Sequence, residues 1–219
     1  ETANGAFPES AVRTMSEIAA NAEIGINKYE VFSFIRNWTP KPMTYRETLC
    51  SSAIQASFDM HAVLIVMFTD DLANARLLSK WRPKVPIVVV TRSQNVVRHC
   101  NSHYGLVAML VETVKPVVEM MPLVADYARK LELADLVAGD DESDQIVVLN
   151  GTDMAMIGHR LEMSVFVFGD EMSTLTKPTA YEGKHTFTQK STKVNMDMVC
   201  QPTSVVRKTK IICTMGPKC

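Results

Sequence analysis

The sequence lacks several patterns that would place it in a specialised class of proteins. Its formal net charge is only −1, so no broad electrostatic attraction to nucleic acid or to an anionic membrane surface is predicted. No apolar run approaches the roughly 20 residues that span a bilayer, and the opening residues lack the basic stretch followed by an apolar one that marks a secretory signal. We therefore predict no nucleic-acid partner and no membrane partner. The 219 residues suffice for one or two domains with a hydrophobic core.

The cysteines also lack a functional pattern. Their number is odd, no two of them form a CxxC pair, and zinc-ligand spacing is absent. This pattern indicates buried or free thiols of a cytosolic protein, and we predict no metal site in this chain. The five positions are Cys50, Cys100, Cys200, Cys213 and Cys219.

What the sequence does contain is a βαβ pattern in residues 62–91. Two continuous apolar runs, at 62–68 and Ile87–Thr91, flank an amphipathic helix at Leu72–Lys80, which is typical of parallel strands buried on both faces. Ligands of open parallel sheets bind beyond the carboxyl ends of the strands. The turn at 69–74 is therefore the first place to expect a site, because a helix N-terminus there offers unpaired N–H groups to an anion.

Beyond the first strand the residues resemble the C-terminal domain of pyruvate kinases. That family carries a turn T-x-S-G-x-S/T, a helix ending in S-K/R-Y-R-P and a strand that opens with P-I. The matching residues here are Thr69, Ala75, Ser79-Lys80-Trp81-Arg82-Pro83 and Pro86-Ile87. The resemblance implies an effector loop for a phosphate of a sugar bisphosphate. Its candidate ligands are Thr69, Asn74 and Arg76.

The chemistry of this turn departs from the family pattern. The Ser, Gly and Ser/Thr positions hold Asp71, Leu72 and Asn74, and Asp70 adds a second carboxylate. Two adjacent carboxylates repel a bisphosphate, and Leu72 removes the glycine that lets the backbone approach it. We therefore expect weak or no effector binding. The alternative to an effector loop is a plain strand-to-helix turn with Asp70 or Asp71 as the N-cap.

A second match lies at the start of the chain. Residues 1–5 and 7–12 resemble the pyruvate kinase stretch S-G-E-T-A-x-G-x-Y/F-P-x-x-A-V, which precedes the last helix of the TIM-type catalytic barrel. Pro8 suits the first turn of a helix. An apolar stripe then follows at helical spacing: Val12, Met15, Ile18 and Ala19. The resemblance implies that residues 1–23 are this barrel helix.

A third match lies near the end of the chain. Residues 206–217 resemble the amino-terminal pyruvate kinase signature R-K/R-T-K-I-I/V-C-T-I/L-G-P, which is the first strand of the catalytic barrel. The resemblance implies that residues 205–219 begin a following barrel and that Thr214 and Pro217 match positions lining the nucleotide site. The preceding residues 169–204 are polar and Thr-rich without periodicity, which predicts a linker or arm, or else a small extra hairpin.

The order of these matches places the end of one catalytic unit before the beginning of another. A tandem fusion of two pyruvate kinase units, sampled across the junction, explains this order most simply. A circular permutation or a wrong gene model would give the same order. With no initial Met and with strand-like sequence up to Cys219, we expect the chain to be a segment of a longer one.

The remaining pattern predicts the architecture of residues 24–168. Asn150-Gly151 marks a tight turn, and Thr44 with Glu47 forms a capping box. A short connection before the last strand makes that strand antiparallel. We predict an α/β fold with a five-stranded mixed sheet, four strands parallel and one antiparallel, and helices on both faces. The further predicted helices are 29–37, 44–60, 94–102 and 113–131, and the further strands are 104–110, 145–149 and 161–168.

For function, the resemblance implies a parent enzyme that transfers phosphate from phosphoenolpyruvate to ADP with Mg²⁺ and K⁺ in the cytoplasm. The family's catalytic lysine, acidic metal-binding pair, potassium ligands and threonine all lie between the two barrel pieces, so no catalytic residue, metal or cofactor is expected in this segment. The expected partners are the remaining barrel domains and a second copy, through the last strand. The alternative is a non-catalytic α/β binding or scaffold module that retains the fold.

Overall fold

In a computed structural model, the chain is described for residues 5–134, 144–151, 161–168 and 207–213. The helices are α1 (Pro8–Ile24), α2 (Lys28–Trp38), α3 (Tyr45–Asp59), α4 (Leu72–Lys80), α5 (Gln94–Cys100) and α6 (Val117–Lys130). The strands are β1 (Leu64–Phe68), β2 (Ile87–Thr91), β3 (Leu106–Leu110), β4 (Asp144–Asn150) and β5 (Glu162–Phe168).

The five strands form one sheet in the order β3-β2-β1-β4-β5. β1 pairs parallel with β2 and with β4, and β2 pairs parallel with β3. β5 pairs antiparallel with β4 at the edge of the sheet, because the connection between them is too short for a helical crossover. The predicted mixed sheet with four parallel strands and one antiparallel strand is confirmed.

Alternate residues of β1 face two separate cores, since successive side chains of a strand point to opposite faces. Ile65 and Met67 belong to the core covered by α3, α4 and α5. Leu64, Val66 and Phe68 belong to the core that includes the buried face of α6. Every residue of β1 and β2 is buried, so the prediction of helices on both faces is confirmed.

Several element ends differ from the predicted ones for local backbone reasons. β3 begins at Leu106 and not at 104, because Gly105 adopts φ +69, which is incompatible with an extended strand. α6 begins at Val117 and not at 113, because the residue before Pro116 is disfavoured in the helical conformation. β1 begins at Leu64 and not at 62, and α5 ends at Cys100 and not at 102.

The predicted capping box at the start of α3 is half formed. The Thr44 hydroxyl accepts a hydrogen bond from the Glu47 backbone N–H at 3.3 Å. The Glu47 carboxylate, however, pairs with Lys80 of α4. This ion pair ties α3 to α4, so the glutamate stabilises the packing of two helices in addition to any effect on its own helix.

The last strand begins later than the predicted strand 161–168. Met163, Val165 and Val167 are 38–40% exposed on one face of β5. Leu161, the first residue of the predicted strand, lies outside β5 and is buried in the core beneath α3. Its carbonyl oxygen accepts a hydrogen bond from the Tyr45 hydroxyl at 2.6 Å, which holds the start of β5 against α3.

The first helix and the segment 207–213 contact each other. The Glu23 carboxylate accepts hydrogen bonds from the backbone N–H groups of Lys208 and Thr209, and the Gly105 N–H donates to the Lys208 carbonyl at 3.0 Å. All of the predicted linker 169–204, together with Thr214 and Pro217, lies outside the described residues. Among the helices that the structure describes, none is long and apolar enough to cross a membrane.

Candidate anion-binding turn

The turn between β1 and α4 is built around the hydroxyl of Thr69, a fully buried residue. This oxygen accepts hydrogen bonds from the Asp71 backbone N–H at 3.0 Å and from the Asn74 side-chain amide at 3.2 Å. The Thr69 N–H donates to the Val90 carbonyl of β2 at 3.1 Å. The two side chains predicted for the effector loop, Thr69 and Asn74, therefore meet, but they bind each other.

Asp71 is the N-cap of α4. One carboxylate oxygen accepts the Ala73 N–H at 2.8 Å, and the other accepts the Arg46 guanidinium at 2.8 Å. A carboxylate at this position satisfies an unpaired N–H and interacts favourably with the positive end of the helix dipole. Of the two N-cap candidates that the sequence left open, Asp71 is the one observed.

Asp70 is held by the residues that follow β2. Its carboxylate accepts hydrogen bonds from the Arg92 backbone N–H at 2.8 Å, from the Arg92 Nε at 2.8 Å and from the Thr91 hydroxyl at 3.1 Å. The Arg92 Nη2 donates to the same carboxylate oxygen, Oδ2, as the Nε does, while Oδ1 accepts the Arg92 backbone N–H and the Thr91 hydroxyl. Burial alone would raise the pKa of Asp70, but the hydrogen bonds from Arg92 and Thr91 and the positive charge of Arg92 outweigh it and lower the pKa.

Arg46, from the first turn of α3, joins the same cluster. Its guanidinium donates to Asp71 and, at 3.3 Å, to the amide oxygen of Asn74. Both polar atoms of the Asn74 side chain are therefore paired. This contact explains why a buried asparagine is stable in the first turn of α4.

Together these contacts form a closed network of two carboxylates and two guanidinium groups around a helix N-terminus. Such a place suits a phosphate when its N–H groups and nearby cations are free. Here the chain's own carboxylates of Asp70 and Asp71 occupy the cations, Arg92 and Arg46. An incoming phosphate would have to displace internal ion pairs and overcome the repulsion of both carboxylates.

The structure thus brings together only two of the three predicted site residues, Thr69 and Asn74. Arg76, the third predicted ligand, is exposed on α4 and takes no part in this network. The sequence reading missed Arg46 and Arg92. Arg92 could have been found, because it follows β2 as Asp70 follows β1, and the carboxyl ends of neighbouring parallel strands lie at the same edge of a sheet.

A glycine at the end of β4 lets the backbone approach this turn closely. The Gly151 N–H donates to the Phe68 carbonyl at 2.8 Å. A Cβ at this position would lie 3.3 Å from the Phe68 carbonyl oxygen, 3.4 Å from the Asn74 amide nitrogen and 3.1 Å from a Leu161 methyl group. The tight packing leaves little room for a side chain beside the turn.

The fold and the turn can now be compared with known proteins. A family model described as "Pyruvate kinase, alpha/beta domain" matches residues 47–165. The chain belongs to the pyruvate kinase family.

Individual pyruvate kinases are similar over different lengths. Pyruvate kinase 1 of Candida glabrata is 39% identical over 112 residues, which cover 51% of this chain and 22% of that protein. The Dictyostelium discoideum pyruvate kinase is 28% identical over 178 residues, 80% of this chain and 34% of that protein. The solved structure "Cryptosporidium parvum pyruvate kinase in complex with ADP" superimposes with a TM-score of 0.66 at 28% identity, over 76% of this chain and 32% of that one. The chain thus spans about a third, or less, of these pyruvate kinases.

Proposed function

We propose that residues 24–168 are the regulatory and oligomerising C-terminal domain of a longer pyruvate kinase that acts in the cytoplasm and converts phosphoenolpyruvate and ADP to pyruvate and ATP. The observation that carries the proposal is the family match over residues 47–165, on a five-stranded sheet with four parallel strands and one antiparallel strand. The domain supplies no group to the reaction in this proposal. Its contribution is to hold subunits together and to modulate the catalytic barrel.

The two ends of the chain are proposed to be pieces of catalytic barrel. Residues 1–23 would be the last barrel helix, and residues 205–219 the first strand of a following barrel, with 169–204 as the linker. Glu23 contacts Lys208 and Thr209, as the last helix and the first strand of one closed barrel would. This contact fits a circular permutation better than two separate barrels. The exposed apolar residues Met15 and Ile18 of α1 are consistent with a surface that packs on barrel residues.

The metal ions of the parent enzyme are proposed to bind outside this segment. The described parts of the chain contain no group of three His, Cys, Asp or Glu side chains that could hold a metal ion, and the acidic residues of the turn are engaged by Arg46 and Arg92. We therefore assign Mg²⁺ and K⁺ to barrel residues beyond this segment. Thr214 and Pro217 stay proposed nucleotide-site positions of the following barrel.

A homodimer through β5 is the proposed assembly. β5 is an edge strand whose exposed row of Met163, Val165 and Val167 is apolar, and such an edge invites pairing with another copy unless it is covered. A two-fold axis beside this strand would bury the same row from both subunits.

Two measurements on the 219-residue chain test the proposal. A coupled assay with phosphoenolpyruvate, ADP, Mg²⁺ and K⁺ should show no turnover above background, and measurable turnover would contradict the assignment of all catalytic groups to other residues.

Sedimentation equilibrium should show a dimer that Val165→Lys dissociates. Val118→Lys is the matched control, since Val118 is 57% exposed on α6, and it should leave the dimer intact. A monomeric wild type would refute the assembly.

A second candidate, a non-catalytic module that keeps the fold, is compatible with the chemistry of the turn after β1. Asp71 and Leu72 replace the Ser and Gly of the resembled effector turn, and internal ion pairs close the turn. This observation is equally compatible with an active enzyme that lacks effector control. Sequencing the gene on both sides of this segment separates the two, because complete barrel motifs support an enzyme and eroded ones support a scaffold.

A further inference from the structure

A second candidate site lies at the opposite end of the sheet from the turn. A cavity of about 460 Å³ opens beside the connection from α1 to α2, the end of α3 and the segment that leads into β2. Its polar lining includes Glu23, Lys28, Lys84 and Lys208, and its apolar lining includes Ile26 and Phe58. Cavities of a few hundred cubic ångströms with a few convergent polar groups are typical of small-molecule sites.

The charges around this cavity do not balance. Its lining contains three lysines, Lys28, Lys84 and Lys208, and one carboxylate, that of Glu23, which leaves a formal charge of 3 − 1 = +2 in the lining. The Glu23 carboxylate already accepts the backbone N–H groups of Lys208 and Thr209, at 3.0 and 2.6 Å. In the described parts of the chain, none of the three lysines forms an ion pair within 4.0 Å.

Two of these lysines, Lys28 and Lys208, have a lowered pKa. Burial lowers the pKa of Lys28, and the charges of Lys208 and Arg82 lower it further, although Glu23 opposes them. Burial likewise lowers the pKa of Lys208, against the attraction of Glu23 and with the repulsion of Lys84. An anion placed among these groups would relieve the repulsion and restore the stability of the ammonium forms.

We propose that this cavity binds a dianion of the phosphate-monoester type, with its phosphate among Lys28, Lys84 and Lys208 and its organic part against Ile26 and Phe58. A charge of −2 would neutralise the local +2. The site is separate from the turn after β1, and it does not depend on the proposed function. The shared chemistry is the phosphate group, which inorganic phosphate or a phosphorylated metabolite could supply.

Calorimetry on the 219-residue chain tests this site with two probes, inorganic phosphate and phenyl phosphate. Both should bind, and phenyl phosphate should bind more tightly if the natural ligand is organic, because its ring adds apolar contact with Phe58. Equal affinities would point to free phosphate as the ligand. Lys84→Ala and Lys28→Gln should each weaken binding about tenfold or more, the usual loss for one charged hydrogen bond. Lys84 is exposed, so its replacement should leave the fold intact.

Lys115→Ala is the control, because Lys115 is an exposed lysine between β3 and α6, and it should leave the affinity unchanged. Three outcomes would overturn the proposal. One is the absence of binding by either probe. Another is an affinity that neither cavity variant changes, which would place the anion elsewhere, including at the turn after β1. The third is an equal loss in the Lys115 variant, which would show non-specific attraction only.

Discussion

Asp70 and Arg92 occupy equivalent places at the ends of two neighbouring parallel strands and bind each other there. Asp70 follows β1, Arg92 follows β2, and the Arg92 Nε donates to the Asp70 carboxylate at 2.8 Å. The Arg92 backbone N–H donates to the same carboxylate, also at 2.8 Å. This pair closes the edge of the sheet at which open α/β proteins usually bind their ligands. An internal carboxylate thus stands where a ligand anion could otherwise bind.

Because of the Asp70–Arg92 pair, we expect the free energy of unfolding to decrease in acid. Because the folded pKa of Asp70 lies below its ordinary value of 3.8, the unfolded chain binds its proton first as the pH falls, and stability must decrease. The contribution of Asp70 is complete above about pH 5 and is lost as the pH drops through the folded pKa. Urea unfolding at several pH values measures the free energy of unfolding of the wild type and of Asp70→Asn, and the difference between the two should therefore become smaller below pH 5. A difference that does not change with pH would contradict the role of the Asp70–Arg92 pair.

Two substitutions of Asp71 separate the stability contributed by its N-cap hydrogen bond from that contributed by its ion pair with Arg46. Asp71→Ala removes both the cap of the Ala73 N–H and the ion pair with Arg46, and should lower the free energy of unfolding by about 0.5–2 kcal/mol. Asp71→Asn keeps an N-cap oxygen but loses the charge, and should cost less, since exposed ion pairs contribute only about 0–1 kcal/mol. Urea denaturation measures both. An Asn variant as unstable as the Ala variant would show that the ion pair, and not the cap, dominates.

The end of α6 offers a stabilising change. Glu132 adopts φ +53 immediately after the helix, where the Glu132 N–H donates to the Arg129 carbonyl and the Leu133 N–H to the Ala128 carbonyl. These two bonds form a Schellman motif, whose left-handed residue is usually glycine. Glu132→Gly should raise the free energy of unfolding by about 0.5–1 kcal/mol by removing the cost of this conformation. Glu132→Ala is the control and should not give this gain.

The described cysteines differ in predicted reactivity. Burial raises the pKa of Cys50 from 9.0 to about 12, helped by the negative charge of Glu47, and burial raises the pKa of Cys100 to about 11. Cys213 is half-buried. Brief treatment of the native protein with iodoacetamide at pH 8 should modify Cys213 well before Cys50 or Cys100, because the thiolate is the reactive form. Peptide mass spectrometry reads the order, and labelling of Cys50 as fast as Cys213 would refute it.

The fold was predictable because its signals are local. Continuous apolar runs mark β1 and β2, and the short connection to β5 fixes its antiparallel direction. The cap by Asp71 was also predictable, because it involves adjacent residues. Arg46 reaches Asp71 across 25 positions, and Arg92 reaches Asp70 across 22. Such contacts depend on how α3 packs on α4 and on which strands are neighbours, which periodicity alone does not specify.

The cavity could not be predicted from the sequence for the same reason. Lys28, Lys84 and Lys208 lie in three separate segments, and each alone resembles an ordinary surface lysine. They come together because the Gly105 N–H donates to the Lys208 carbonyl and α2 follows α1 after a short turn. A set of like charges becomes informative only when the fold shows that the nearby carboxylates, here Glu23, do not fully neutralise it.

The last prediction concerns the turn after β1 and fructose 1,6-bisphosphate. Since Asp70 and Asp71 occupy Arg92 and Arg46, the wild type should show weak or no heat of binding that arises at this turn. Asp71→Ser with Leu72→Gly moves the turn toward the resembled family pattern and frees Arg46, but Asp70 still engages Arg92 in that variant. We therefore expect the larger gain of affinity when Asp70→Asn is added, which frees a second guanidinium for the phosphate. The matched control is Arg92→Ala in the triple variant, which should abolish the gain. The prediction is contradicted if the wild type binds fructose 1,6-bisphosphate with micromolar affinity and Thr69→Ala or Asn74→Ala abolishes this binding. That result would show that a phosphate displaces these carboxylates.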